Sequence, residues 1–163
     1  MDNLQIYRRN LPHWRLEGAV YFVTWRLYPD SPVLQPEERS AVVETLRHFE
    51  NVRYELFAYV VMDDHVHVVL QAIADHVLAK IIHSWKSFSA RRLQQENGRI
   101  GAVWQQESFD RIVRDEAELM EKIQYIMNNP IKRWPEIAGY AWMKPVVQAS
   151  VPASCRRHEG PCV

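Results

Sequence analysis

An α+β fold, the ferredoxin-like split β-α-β sandwich with an antiparallel sheet and helices on one or both faces, is what this 163-residue sequence predicts. Three observations carry the prediction. Runs rich in β-branched and aromatic residues alternate with stretches of helical periodicity in the order strand, helix, strand, strand, helix, strand, with a final helix. Two of the β-rich runs are separated by only two residues, a spacing suited to a tight hairpin. The helical stretches each carry an apolar stripe at about 100° per residue, the mark of a helix lying on a core.

The first strand follows Gly18, in Ala-Val-Tyr-Phe-Val-Thr-Trp-Arg-Leu, and ends at Pro29-Asp30-Ser31-Pro32. Pro36 then opens a helix over 37–50, with an acidic first turn and Val42, Val43, Leu46 and Phe49 at helical spacing. Two strands are predicted at 54–62 and 65–72, joined by Asp63-Asp64. Asp75 is placed to cap a second helix, whose stripe of Leu78, Ile81, Ile82, Trp85, Phe88 and Leu93 stops at Asn97-Gly98. On that periodicity Trp85 and Phe88 belong to the core. A fourth strand spans 108–113. Asp115 with Glu118 resembles a capping box, and the helix it starts is predicted to end near Asn128, because Pro130 disfavours helix in the residue before it.

Composition narrows the classes of protein. At 47% hydrophobic residues the chain can bury one real core. No apolar run approaches the roughly 20 residues of a membrane helix, and residues 1–10 lack the apolar stretch of a signal peptide. A cytoplasmic protein is therefore expected. The two cysteines, Cys155 and Cys162, fall in the last nine residues, where a disulfide would staple nothing but a tail, and with His158 they lack the fourth ligand of a zinc knuckle. A formal net charge of zero argues against bulk coating of nucleic acid. Any nucleic-acid site must be local, and the candidate basic clusters are Arg8, Arg9 and Arg15, then Lys80, Lys86, Arg91 and Arg92, then Lys132 with Arg133. From Pro145 onward the composition is that of a disordered tail.

The chemistry concentrates in His65-Val66-His67. Side chains alternate along a strand, so both imidazoles point to one face while Val66, Val68 and Leu70 point to the other. Such a pair can chelate a divalent metal and leave positions for water and substrate oxygens. Two polar residues on a wet strand face would give the same pattern. Tyr125 lies off the stripe of Leu119, Ile123 and Ile126, on a helix face that also carries Glu118, Glu121, Lys122 and, one turn on, Asn129.

Taken together, Gly-Ala-Val-Tyr-Phe-Val-Thr-Trp-Arg at 18–26, the hairpin 60–70 around His65-Val66-His67, Val103-Trp104-Gln105, Phe109-Asp110-Arg111 and Tyr125-Ile126-Met127-Asn128-Asn129-Pro130 resemble the REP-associated tyrosine transposases. These are domesticated relatives of the single-tyrosine HUH transposases. The resemblance runs from about Arg9 to Pro135 in matching order and spacing. It implies a nuclease domain with a divalent metal held by His65, His67 and Asn129, and Tyr125 as a nucleophile that forms a 5′-phosphotyrosine bond. The implied partner is single-stranded DNA folded into the hairpins of repetitive extragenic palindromes (REP), bound by a monomer or a homodimer. The domains expected are an N-terminal DNA-contacting segment at 1–17 and the transposase domain at 18–142, with, from composition, a disordered tail at 143–163. DNA contacts are expected from Arg8, Arg9, Arg15, Lys86, Arg91, Arg92, Lys132 and Arg133.

General chemistry agrees with that assignment. A phosphodiester anion repels nucleophiles, so a cation on its non-bridging oxygens must neutralise developing charge. Two imidazoles and an amide carry no charge, a set that suits manganese at least as well as magnesium. A tyrosine, with an ordinary pKa of about 10, must lose its proton during attack. His83, Glu118, Glu121 or metal-bound water are the candidate acceptors. The chain departs from the family where Met-Pro-Asn usually precedes the first histidine: here Met62-Asp63-Asp64 stands. Asp64 then either adds a carboxylate to the cation, or an unpaired Asp63 repels the phosphate and leaves a weakened, hairpin-binding protein. After the tyrosine motif, Ile131-Lys132-Arg133-Trp134-Pro135 replaces the usual Val-Lys-x-Gly-Leu, so the helix exit is expected to differ.

Overall fold

The computed structural model describes residues 18–144. The elements run β1 (Val20–Arg26), α1 (Pro36–His48), β2 (Tyr54–Val61), β3 (His65–Ala72), α2 (Leu78–Asn97), β4 (Phe109–Val113), α3 (Glu116–Arg133) and β5 (Met143–Lys144). The strands form one sheet in the order β4-β1-β3-β2-β5, with every neighbouring pair antiparallel. β3 slots between β1 and β2, the split β-α-β arrangement predicted from the element order. Arg111–Phe22–Val69 and Phe109–Thr24–His67–Val60–Met143 are successive rows across the sheet. Side chains within a row share a face.

The two faces carry separate cores. Val23, Trp25, Tyr59, Val61, Val66, Val68 and Leu70 pack with Leu46 of α1 and with Ile81, Trp85 and Leu93 of α2. On the opposite face Val20, Phe22, Ala58, Val60, Val69 and Val113 pack under Leu119, Met120, Ile123 and Ile126 of α3. In β2 the register slips between Leu56 and Ala58. That bulge lets Leu56 and Tyr59 point to the same core although three positions apart, where strict alternation would separate them.

Helix ends show where local rules hold and where packing overrides them. Pro36 is the first residue of α1, and Gln35 N–H donates to Glu38 Oε1 at 3.0 Å. Gly98 closes α2 in the left-handed region at φ 70°, its N–H donating to Leu93 O, as the sequence predicts. The predicted cap of α2 is not made: Val77 occupies the N-cap position without a side-chain hydrogen bond, and Asp75 lies in the preceding turn. Trp85 is core as expected, but Phe88 is 51% exposed at the rim. Asp115 Oδ1 caps α3 by accepting from Glu118 N–H at 2.8 Å. That helix does not stop at Asn128; it continues through Pro130 to Arg133. Pro130 has no N–H to give the carbonyl one turn back. It is nevertheless buried, and Trp134 N–H donates to its carbonyl at 2.8 Å, so packing of this turn against the sheet outweighs the lost bond.

Strand pairing extends two residues past the expected boundary at 142. Met143 and Lys144 pair with Val60 and Tyr59 as an edge strand, and Val61 N–H donates to Trp142 O at 2.9 Å. The remainder of the predicted tail, with Cys155, His158 and Cys162, lies outside the described residues, as does the segment 1–17 with Arg8, Arg9 and Arg15. Among the described residues no helix is long and apolar enough to cross a membrane.

Candidate active site

Met62 N–H donates to His65 O at 2.8 Å, which closes Asp63-Asp64 into a two-residue hairpin loop. β3 therefore begins at His65, opposite Arg26, and His67 lies opposite Thr24. Strand alternation sends both imidazoles to the α3 face and Val66, Val68 and Leu70 into the other core. This is not a wet face: His67 is only 4% exposed. Its ring stacks on Phe22 at 5.4 Å and meets the His65 ring edge-on at 4.6 Å between centroids.

Each imidazole is gripped through Nδ1. Thr24 Oγ1 lies 2.6 Å from His67 Nδ1, and Asp64 Oδ1 lies 2.6 Å from His65 Nδ1. On its other side His65 Nε2 faces Asn129 Oδ1 at 3.1 Å. Asn129 is one turn beyond Tyr125 on α3, and its Nδ2 donates to Tyr125 O at 3.2 Å, which turns the amide oxygen toward the histidine. Because α3 continues past Pro130, Asn129 stands inside the helix and not at a fraying end. The Tyr125 ring is 5.2 Å from that of His67 and 5.9 Å from that of Phe22, and the residue is 42% exposed. Lys132 Nζ lies 5.2 Å from the Tyr125 ring, and Lys122 Nζ lies 5.2 Å from the Phe22 ring.

Burial, then the charges of His65 and Arg26, push His67 down to about 3; it is neutral at physiological pH and keeps a lone pair. Burial acts to raise the Asp64 carboxyl, but the hydrogen bond with His65 and the charges of His65, Arg133 and Arg26 outweigh it and hold the group below its ordinary value. Asp63 is not the unpaired acid of the sequence expectation. Its Oδ2 accepts from Arg133 Nη2 at 2.9 Å, while its buried Oδ1 has no hydrogen-bond partner. The two departures from the family pattern, in the hairpin and after the tyrosine motif, thus meet as an ion pair that ties the end of α3 to the loop before His65.

The residues fit a divalent cation. Ligands at right angles on a cation with bonds of 2.0–2.1 Å stand about 2.9 Å apart, close to the separation of His65 Nε2 and Asn129 Oδ1. With Asp64 on Nδ1, His65 Nε2 faces the Asn129 amide oxygen, a gap that either a ring proton or a cation can bridge. Among the described residues no three His, Cys, Asp or Glu side chains gather to hold a metal. The set here differs because an amide completes it and Asp64 is engaged with His65.

The remaining candidates divide by face. Lys132 and Arg133 lie on the site's side of the sheet. Lys86, Arg91 and Arg92 belong to α2, on the opposite face, and the structure does not bring them to the site. Lys86 Nζ donates to Gln106 O, and Arg92 is paired with Glu44 and Glu96. His83, also on α2, contacts Ser87. Glu118 receives Arg114 N–H and pairs with Arg111, whereas Glu121 stands exposed on α3. Sequence reasoning missed Thr24, Phe22 and Arg26 as parts of the site; they become visible only once the β1–β3 register is known.

Three comparisons bear on identity. The family model described as "Transposase IS200 like" matches residues 18–129. A Haemophilus influenzae protein named as a REP-associated tyrosine transposase is 27% identical over 141 residues, covering 77% of this chain and 76% of the relative. Among solved structures, a transposase from Deinococcus radiodurans superposes with a TM-score of 0.52 at 25% identity, over 71% of this chain and 93% of the other. A REP-associated tyrosine transposase bound to a REP hairpin superposes with a TM-score of 0.58 at 18% identity, over 73% and 70%; at that identity it supports the fold. With more than half its length matched by the family model, the chain belongs to the IS200-like transposase family.

Proposed function

We propose that this transposase is a divalent-metal-dependent nuclease and strand transferase of single-stranded DNA. In this reading Tyr125 is the nucleophile, and His65, His67 and Asn129 hold manganese or magnesium. The observation that carries it is the convergence, within one chain, of an exposed tyrosine on two imidazoles and an amide oxygen. A monomer therefore contains every proposed catalytic group. The substrate class, hairpins of REP type, is argued from the names of the Haemophilus influenzae relative and the hairpin-bound structure.

Tyr125 Oη attacks phosphorus, the tyrosyl O–P bond forms on the 5′ side, and the P–O3′ bond breaks as the 3′ oxygen leaves and takes a proton. The phosphotyrosine keeps the bond energy, so a later 3′-hydroxyl can reverse the step, join strands and return the proton to the phenol without a nucleotide cofactor. A cation bound at the site supplies charge for the non-bridging oxygens. His67 remains neutral by burial and is aimed by Thr24, while Asp64 orients His65. Lys132 lies over the Tyr125 ring and Lys122 over the neighbouring Phe22 ring, where their charges can meet a phosphodiester. His83 and Glu118 are excluded as bases by their positions, and the exposed phenol can release its proton to water. The weakened, binding-only reading loses its premise, since Asp63 is paired with Arg133 and Asp64 with His65.

Incubation with manganese and labelled single-stranded hairpin DNA, followed by a denaturing gel, tests the reading. Wild type is expected to form a covalent adduct that disappears when metal is chelated and in Tyr125→Phe. Absence of any adduct across a set of REP-type hairpins, or its persistence in Tyr125→Phe, contradicts it.

A further inference from the structure

α3 crosses the sheet diagonally. Its Glu118 meets Arg111 of β4, Lys122 and Tyr125 meet Phe22 of β1, and Asn129 meets His65 of β3. Arg133 reaches Asp63 in the hairpin loop. The helix thereby leaves the far ends of β1 and β4 uncovered on the catalytic face. Thr24, Arg26 and Phe109 occupy that wedge.

Phe109 pairs with Thr24, which pairs with His67, so the three side chains share a face. Buried Val113 and the Arg111–Glu118 ion pair fix the same orientation for the odd-numbered residues of β4. Two strand spacings separate Phe109 from His67, about 10 Å, within the reach of one or two nucleotides. Phe109 is 59% exposed. Ile112, on the same edge strand, is comparably exposed but lies opposite Tyr21, which packs against the other core. Isolated exposed apolar residues need no explanation. One beside an open catalytic wedge, bordered by Arg26, Lys122 and Lys132, has the composition of a single-strand groove, with rings for bases and cations for backbone.

We propose that Phe109 is a stacking shelf for an unpaired base next to the phosphate at Tyr125, and that Arg26 binds the adjoining backbone phosphate. This rests on the DNA-cleaving function proposed above and names where the strand leaves the reacting bond. The test is fluorescence anisotropy with labelled single-stranded DNA of randomised sequence, without metal, on the full chain. Wild type should bind. Phe109→Ala should bind at least about five-fold more weakly, Phe109→Trp should recover most of the affinity, and Ile112→Ala should bind as wild type does. With 5-iodouracil in the strand, photocrosslinks in wild type should map to Phe109. Wild-type affinity in Phe109→Ala, or an equal loss in Ile112→Ala, overturns the shelf while leaving the Tyr125 adduct intact; a wild type that binds no single strand also overturns the shelf, and the Tyr125 adduct on hairpin DNA decides the cleavage reading separately.

Discussion

On the α1/α2 face of the sheet, the buried polar groups of Tyr54, Trp85, Ser89 and Trp104 close on one another, and Trp25 Nε1 is buried without a partner. Trp104 Nε1 donates to Ser89 Oγ, which donates to Trp85 O; Trp85 Nε1 donates to Tyr54 Oη, which donates to Leu46 O. On the α3 face, each imidazole is gripped through Nδ1 by Thr24 or Asp64. His65 Nε2 and Asn129 Oδ1 are left facing one another, beside a tyrosine open to solvent. Both faces are rich in aromatic rings. What separates them is whether the linked polar atoms end on backbone carbonyls inside the core or face open space. A closed network specifies a core, whereas a half-closed one beside open space is equipped to bind something.

The largest contrast is in stability. Trp85→Ala should cost about 3–5 kcal/mol in chemical denaturation, the usual loss for a buried tryptophan, while Tyr125→Phe should stay within about 0.5 kcal/mol of wild type. Equal losses would break the division into structural and working faces.

A second test uses pH. His67 is pushed from an ordinary value near 6.5 down to about 3 in the fold, so the unfolded chain takes up the proton first as pH falls. The stability this neutral residue contributes is complete above about 6.5 and is lost progressively between 6.5 and 3. Metal-free protein should therefore lose roughly 1.5 kcal/mol between pH 6.5 and 5, and His67→Gln should flatten that slope. An unchanged slope in His67→Gln assigns the acid sensitivity elsewhere.

Next in size, Asp64→Asn should lower manganese affinity about 10- to 100-fold by calorimetry, with the fold retained. Unchanged affinity would make Asp64 a bystander. The smallest effect is expected at the loop. Arg133 is half exposed although Asp63 is nearly buried, so solvent screening limits the coupling in a double-mutant cycle of Arg133→Ala and Asp63→Asn to about 1 kcal/mol. A coupling near zero would mean that the pair does not tie α3 to the hairpin.

The sequence pattern revealed most of the scaffold and half of the site. Alternation placed His65 and His67 on one face, and helical spacing set Tyr125 and Asn129 a turn apart, because both are local properties of the chain. Thr24 as the partner of His67 depends on which strands become neighbours, a long-range pairing that no local window contains. Lys86, Arg91 and Arg92 looked like a basic patch, but charge along a helix does not say which side of the sheet the helix covers. Pro130 was read by its intrinsic preference, and burial of its turn overrode that preference. Met143–Lys144 is too short to announce itself as a strand; it exists through pairing with β2.

The central claim is that Tyr125 becomes covalently joined to DNA. Protease digestion of the adduct formed with manganese and single-stranded hairpin DNA, followed by mass spectrometry of the nucleotide-bearing peptide, locates that bond. The account predicts phosphodiester-linked nucleotide on Tyr125 and on no other residue; nucleotide carried by another tyrosine, such as Tyr28 or Tyr140, contradicts it.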